Sequence, residues 1–192
     1  MRCLLFCRFF WDIELERGWS TVLAASDAST NFGFGLCAAK VTASLSRRIG
    51  RAADRGQHHI RLRQFGSQGV KRKARKGSEL HLPLTKKDFK HILSARAKFS
   101  DNIVALEGDA SLLLVRWLCR SAGNHRRRTP VLIDAQSVLG ALVRGRSSAP
   151  SLKITVRRIA AHLLASDISL KPIYTPSEEN PADEGSRGVA GP

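Results

Sequence analysis

Acidic residues are scarce in this sequence. Only 16 Asp and Glu accompany 32 Lys and Arg in a chain of 192 residues, which leaves a formal net charge of +16 and a pI near 10.8. A charge this large is extreme for a globular domain. It indicates a polyanionic partner, of which nucleic acid is the simplest and an anionic membrane surface the weaker alternative.

Long apolar runs and paired cysteines are missing as well. Residues 1–11 are mostly apolar, but Arg8 interrupts them and acidic residues follow at once. This stretch is too short to span a bilayer and has no small-residue cleavage site, so we predict neither a membrane anchor nor secretion. Cys3 and Cys7 have no second ligand pair, which argues against a zinc site. We therefore expect reduced thiols and an intracellular location, in the nucleus or the cytoplasm.

The length and the hydrophobic content of 43% suit one folded domain. We expect that domain at 20–188, after a ragged N-terminal segment at 1–19 and before a short tail at 189–192. Residues 46–97 are rich in lysine and arginine and poor in apolar side chains, so we interpret them as a basic, partly disordered insertion. Its most basic run, at 71–76, is predicted to be a phosphate-binding arm or a nuclear import signal, with a solvated loop as the alternative.

An apolar run that ends on a carboxylate organises the chain. Residues 131–133 have the pattern of a buried strand, Asp134 follows, and the apolar spacing then changes to that of a helix. Ligands bind at the carboxyl ends of strands in open α/β sheets, so Asp134 is either a helix N-cap or a site residue. The other predicted elements are a hairpin at 21–27 and 32–41, helices at 102–120, 151–165 and 182–188, and a strand at 167–174. The glycines of the hairpin predict a close approach of other groups to its backbone.

Three further acids occupy positions of interest: Asp27 in the first strand, Glu107 in an apolar helix, and Asp183 after the last strand. Taken singly, each has a structural explanation, since Asp27 can cap a turn, Asp183 can cap a helix, and Glu107 can pair with an arginine. Taken with Asp134 in a chain so poor in acids, they indicate a joint role. Carboxylate oxygens are the ligands that magnesium prefers, and a cluster of them can hold two ions that clamp a phosphodiester.

Four sequence motifs surround these acids in order. They are Ser26-Asp27-Ala28-Ser29 with Gly33-Phe34-Gly35, residues 102–107 with Ala110, Ile133-Asp134-Ala135-Gln136-Ser137-Val138, and Thr175-Pro176-Ser177-Glu178-Glu179-Asn180-Pro181-Ala182-Asp183. With these motifs the chain resembles the ribonuclease H domain of reverse transcriptases from retrotransposons, over 20–188 apart from the insertion. The resemblance implies an α/β, ribonuclease H-like fold with a mixed five-stranded sheet flanked by helices. It also implies a divalent-metal-dependent endonuclease that cuts the RNA strand of RNA–DNA hybrids.

The same resemblance assigns roles to individual residues. The catalytic metal ligands for two Mg²⁺ ions, with Mn²⁺ as an alternative, would be Asp27, Glu107, Asp134 and Asp183. Asp27 and Asp134 would be central and Asp183 the more mobile outer ligand. Nucleic-acid contacts are expected from Ser29, Asn31, Asn102 and Ser137 to RNA 2′-hydroxyls, and from Lys71, Arg72, Lys73, Arg75 and Lys76 to phosphates. No polymerase motif is present, so we expect a fragment or stand-alone copy of such a reverse transcriptase. The polymerase domain that is missing from this chain is an expected partner.

Two departures from the family pattern leave other functions open. The loop at 175–181 has no histidine, which cellular members often carry before the last acid, and the third strand is hard to place, at 98–103 or at 80–84. The first alternative is a catalytically inactive, nucleic-acid-binding remnant of the same fold. The second is a chromatin- or RNA-associated protein that acts through the basic segment at 47–76 alone.

Overall fold

The computed structural model describes residues 17–54, 59–62, 79–98 and 102–189. These residues form a mixed β-sheet with helices on both faces. The strands within those ranges are β1 Gly18–Trp19, β2 Val22–Ala28, β3 Gly33–Lys40, β4 His59–Arg61, β5 Glu79–His81, β6 Lys90–Arg96, β7 Arg127–Ile133 and β8 Ser169–Tyr174. The α-helices are α1 Ala43–Asp54, α2 Ile103–Cys119, α3 Gln136–Arg144, α4 Pro150–Ala165 and α5 Asp183–Ser186. No helix in these described ranges is both long and apolar enough to cross a membrane.

The strand order places β2 and β7 at the centre of the sheet. Across the sheet the order is β5-β4-β8-β7-β2-β3-β6, and β1 pairs with the start of β7. β2, β3 and β6 form an antiparallel meander, whereas β7 runs parallel to both β2 and β8. β4 and β5 extend the parallel half beyond β8. The carboxyl ends of β2, β7 and β8 therefore lie at one end of the sheet, where ligands bind in folds of this class.

Alternating side chains of β2 serve two separate cores. Leu23 and Ala25 belong to the core under α1, where Ile49 is fully buried. Ala24 belongs to the core on the opposite face, with Leu114 of α2. A strand that is apolar on both faces is typical of the centre of a sheet covered on both sides. Burying one Leu or Ile side chain contributes roughly 1.5–3 kcal/mol, so these two cores hold β2 firmly in place.

Most of the elements predicted from the sequence are present. The hairpin is β2 with β3, the apolar helix at 102–120 is α2, and the strand and helix around Asp134 are β7 and α3. The α/β class, with a mixed sheet flanked by helices, is confirmed. The predicted number of five strands is wrong, because β1, β4 and β5 also belong to the sheet and bring the total to eight.

Two segments that the sequence set apart from the domain contribute elements to it. From the ragged segment at 1–19, β1 pairs with β7, and the Trp19 ring lies against Gly50 of α1. From the basic insertion at 46–97, the described residues include most of α1 together with β4, β5 and β6. The structure does not describe residues 1–16, 55–58, 63–78, 99–101 and 190–192, so the predicted phosphate contacts of Lys71, Arg72, Lys73, Arg75 and Lys76 lie outside the described residues.

The third strand of the meander is β6, which pairs antiparallel with β3. Both positions predicted for this strand, 98–103 and 80–84, are therefore wrong. β6 is an edge strand whose residues Lys90, His91 and Ile92 are all exposed. A strand with one neighbour and so much exposure does not show the apolar alternation that marks a half-buried strand in a sequence.

Gly35 of β3 lets another element approach the sheet, as the hairpin glycines predicted. A Cβ at this position would collide with the carbonyl oxygen of Ala182 and the amide nitrogen of Ser186. Gly35 is also the register partner of Asp27 across the antiparallel pair. The absence of a side chain at Gly35 therefore allows α5 to lie directly over the strand pair that carries Asp27.

Gly35→Ala is expected to lower the free energy of unfolding by about 1–3 kcal/mol, because the added methyl group must displace backbone atoms of α5. Gly123→Ala is the matched control, since a Cβ there meets only the Ser121 hydroxyl, at 3.6 Å. That control should change stability by less than about 0.5 kcal/mol. Thermal unfolding followed by circular dichroism measures both variants, and equal melting temperatures would contradict this packing.

Candidate metal centre

Parallel pairing of β2 with β7 brings Asp27 and Asp134 together. Ala25 is the register partner of Leu132. Two residues further along each strand, Asp27 lies near the end of β2 and Asp134 directly follows β7. The register of two buried central strands therefore fixes these carboxylates side by side at the ligand-binding end of the sheet.

Glu107 reaches the same place from α2. The helix begins after Asn102, whose side chain accepts a hydrogen bond from the Val104 amide at 2.9 Å and caps the first turn. On the same helix, Leu106 and Ala110 pack against Ala28 at the end of β2. This packing orients the second turn of α2 toward the end of β2, and Glu107 extends from that turn.

The three carboxylates form one cluster, which we call the triad: Asp27, Glu107 and Asp134. One oxygen from each lies within 4.8 Å of the others. Asp27 is only 5% exposed, and the other two are half-buried. Within the described ranges no lysine or arginine forms an ion pair with Glu107, so the pairing considered for it from the sequence is not found. Carboxylates grouped in this way can bind a metal ion.

One oxygen of the triad lacks a hydrogen-bond partner. Asp134 Oδ1 is buried, and no donor in the described part of the chain reaches it. Asp134 does not cap α3 either, because the N-cap position is Ala135 and no side chain bonds the first turn. A buried carboxylate oxygen without a partner is costly unless a proton or a cation sits beside it. The donor set therefore fits a hard divalent cation, which would be held by Asp27, Glu107 and Asp134.

Burial and mutual repulsion shift the acidity of the triad. Burial, and then the charge of Asp134, raise the pKa of Asp27 from 3.8 to about 7, although a hydrogen bond from Ser186 opposes this rise. Burial, and then the charges of Asp134 and Asp27, raise the pKa of Glu107 from 4.5 to about 8. Without metal, the site therefore holds protons near neutral pH, and a divalent cation would replace them.

The loop before α5, and α5 itself, form hydrogen bonds to β2 at Asp27 and at the residue before it. The Ser186 hydroxyl donates a hydrogen bond to Asp27 Oδ2. Asn180 is fully buried, and its Nδ2 donates to the Ser26 carbonyl at 3.1 Å. The Asn180 side-chain oxygen accepts from the Ala182 amide at 3.1 Å, which fixes the turn that leads into α5. These contacts tie the loop to β2 immediately beside the triad.

Asp183 stands apart from the triad. The four acids were predicted to act together, and the structure groups three of them while Asp183 Oδ1 accepts a hydrogen bond from Arg187 Nε at 2.9 Å. Asp183 does not cap its helix, because the N-cap is Ala182 and no side-chain cap bond forms. Its charge still contributes to the raised pKa of Asp27, so the two carboxylates are near neighbours.

Sequence reasoning missed two side chains of this site, Ser186 and Arg187. Both follow Asp183 at the three- and four-residue spacing that brings helix residues onto one face, which is a signal that was present in the sequence.

The residues predicted to contact RNA flank the triad in the chain. Ser29 accepts a hydrogen bond from the Asn31 amide at 3.2 Å in the β2–β3 turn, and Ser137 is exposed in the first turn of α3.

Comparison with known proteins does not identify the chain. No protein-family model matches the sequence, and no curated protein matches it significantly. The geometry of the triad and of the elements around it is therefore what points to a function.

The metal-free protein is expected to lose stability as the pH rises from about 4 to about 8. Both shifted groups have folded pKa values above their unfolded ones, so their contribution is full below about pH 4 and is lost as Asp27 and then Glu107 ionise. We expect a loss of several kcal/mol over this window, because a pKa raised by one unit corresponds to about 1.4 kcal/mol. Thermal unfolding in the presence of a chelator measures it. Asp134→Asn removes the shared repulsion and should flatten the profile, and an unchanged slope would contradict this electrostatic account.

Proposed function

We propose that the chain is a divalent-metal-dependent endonuclease with a ribonuclease H-like fold, which cleaves the RNA strand of RNA–DNA hybrids. The observation that carries the proposal is the triad: three carboxylates from β2, α2 and the end of β7, with one buried oxygen that lacks a partner. Such a cluster is a suitable site for the metal ions that phosphodiester hydrolysis requires.

The sheet supports the ribonuclease H-like assignment. Five consecutive strands, β8-β7-β2-β3-β6, combine an antiparallel meander with a parallel pair, and α2 lies between β6 and β7 in the chain. This part of the eight-stranded sheet is compatible with the five-stranded mixed sheet that the resemblance implies. The triad consists of three of the predicted acids. They are the acid of the strand at 21–27, the acid of the apolar helix, and the acid that follows the strand at 131–133.

The triad would hold Mg²⁺, or Mn²⁺ as an alternative, through carboxylate oxygens. When bound, a pair of such ions supplies an activated water as nucleophile and stabilises the leaving oxygen, which leaves a 5′-phosphate and a 3′-hydroxyl. The protein's own groups supply position and charge. Asp27 and Asp134 are fixed by the β2–β7 register, and the Ser186 hydroxyl orients the Asp27 carboxylate.

The positive charge of the chain suits a nucleic-acid substrate. Exposed arginines occur on helices on both faces of the sheet, at Arg47, Arg48 and Arg51 of α1 and at Arg157 and Arg158 of α4. Exposed arginines attract the phosphates of a nucleic acid regardless of its base sequence. Selection of RNA would come from 2′-hydroxyl contacts near the triad, for which Ser29, Asn31, Asn102 and Ser137 are the proposed donors and acceptors.

Asp134→Asn is expected to reduce cleavage of a labelled RNA–DNA hybrid in Mg²⁺ by at least about a hundredfold, because it removes a central anionic ligand. Asp54→Asn is the matched control, since Asp54 is an exposed residue of α1 that pairs with Lys171 at 3.0 Å. The control should cleave like the wild type. A well-folded wild type that does not cleave the hybrid in Mg²⁺ or Mn²⁺ would refute the proposed activity.

A catalytically inactive, nucleic-acid-binding protein of the same fold is the second candidate. The observation that favours it is the pairing of Asp183 with Arg187, which leaves the fourth expected ligand engaged elsewhere. This candidate predicts hybrid binding without turnover. Its affinity should fall steeply with salt, with a slope of about −0.9 in log–log terms for each phosphate contacted. Fluorescence anisotropy across a salt series measures the slope, and metal-dependent cleavage in parallel samples would exclude this candidate.

A further inference from the structure

Arg187 forms an ion pair with Asp183, the predicted metal ligand that lies outside the triad. Its Nε donates to Asp183 Oδ1 at 2.9 Å, four residues back along the chain. The Asp183 side chain is 24% exposed and that of Arg187 is 65% exposed, so the pair lies at the solvent side of the site. The guanidinium therefore competes directly with any cation for this carboxylate.

The main chain around this pair is anchored. The Ser186 hydroxyl lies within hydrogen-bond distance of both Asp27 Oδ2 and the Asp183 carbonyl oxygen, the latter at 2.9 Å, and these two acceptors share its one proton. Ala182 and Gly185 are buried against Gly35 of β3. Because the backbone of α5 is held in this way, the Asp183 carboxylate can change position only by rotation of its own side chain. The contact with Arg187 therefore controls the direction in which the Asp183 carboxylate points.

We propose that Arg187 is a positioning residue, which holds the Asp183 carboxylate away from the triad and so weakens the binding of a second divalent cation. This inference rests on the proposed metal-dependent function. A guanidinium is also a strong bidentate partner for phosphate. A phosphate of bound nucleic acid would therefore take the guanidinium, and Asp183 would be released toward the triad when substrate arrives.

Calorimetric titration with Mn²⁺ alone tests the inference. Arg187→Gln should bind the second Mn²⁺ about two- to fivefold more tightly than the wild type, the size expected for loss of a partly exposed ion pair. In an Asp183→Asn background the same substitution should have no effect, because the residue through which Arg187 acts is gone. Arg187→Lys keeps a cation at the four-residue spacing and should restore binding close to that of the wild type.

Arg96→Gln is the charge-matched control. Arg96 is exposed at the same end of the sheet, where it pairs in register with Gly33 and lies over the Phe32 ring at 5.7 Å rather than on a carboxylate. Equal tightening by Arg96→Gln, or tightening that persists without Asp183, would show a general charge effect and overturn the inference. So would an unchanged second binding step in Arg187→Gln when the first step is intact. A wild type that binds no Mn²⁺ at all contradicts the proposed function itself.

Discussion

Repulsion among three carboxylates in a half-buried space is the constraint on which the rest of this site depends. Two of them, Asp27 and Asp134, are brought together by the register of β2 and β7, and that register is fixed by cores on both faces of the sheet. The third, Glu107, is brought in by packing of α2 on the end of β2. The backbone that carries each of the three is held by buried apolar contacts, and protons or a cation would offset their charge.

The contacts around Asp27 affect both the pKa and the orientation of this carboxylate. Burial raises its pKa, whereas the hydrogen bond from Ser186 lowers it and favours the ionised form, which could bind a metal ion. The same hydroxyl fixes the orientation of the carboxylate, in the way that groups behind a ligand often do in metal sites. This arrangement requires α5 to lie against β3, which is possible only because position 35 carries no side chain.

The parts of the fold that were predictable from the sequence are those with a strong periodic pattern. The apolar runs of β2, β7 and α2 are distinct from their surroundings, and each carries its acid at a recognisable place, so the members of the triad could be named in advance. β6 was misplaced because an exposed edge strand has no such pattern, and β4 and β5 are too short to have one. The position of Asp183 was not predictable, because a side-chain rotation and the choice of Arg187 as partner decide it.

The charge of the site and the charge of the chain act in opposite directions on a nucleic acid. A net charge of +16 would attract phosphates at long range, whereas an ionised triad would repel them at the proposed point of cleavage. Protonation would relieve that repulsion, yet it would also remove the metal ligands. A divalent cation would relieve the repulsion and keep the ligands, so metal binding and the close approach of a phosphate would be coupled at this site under the proposed function.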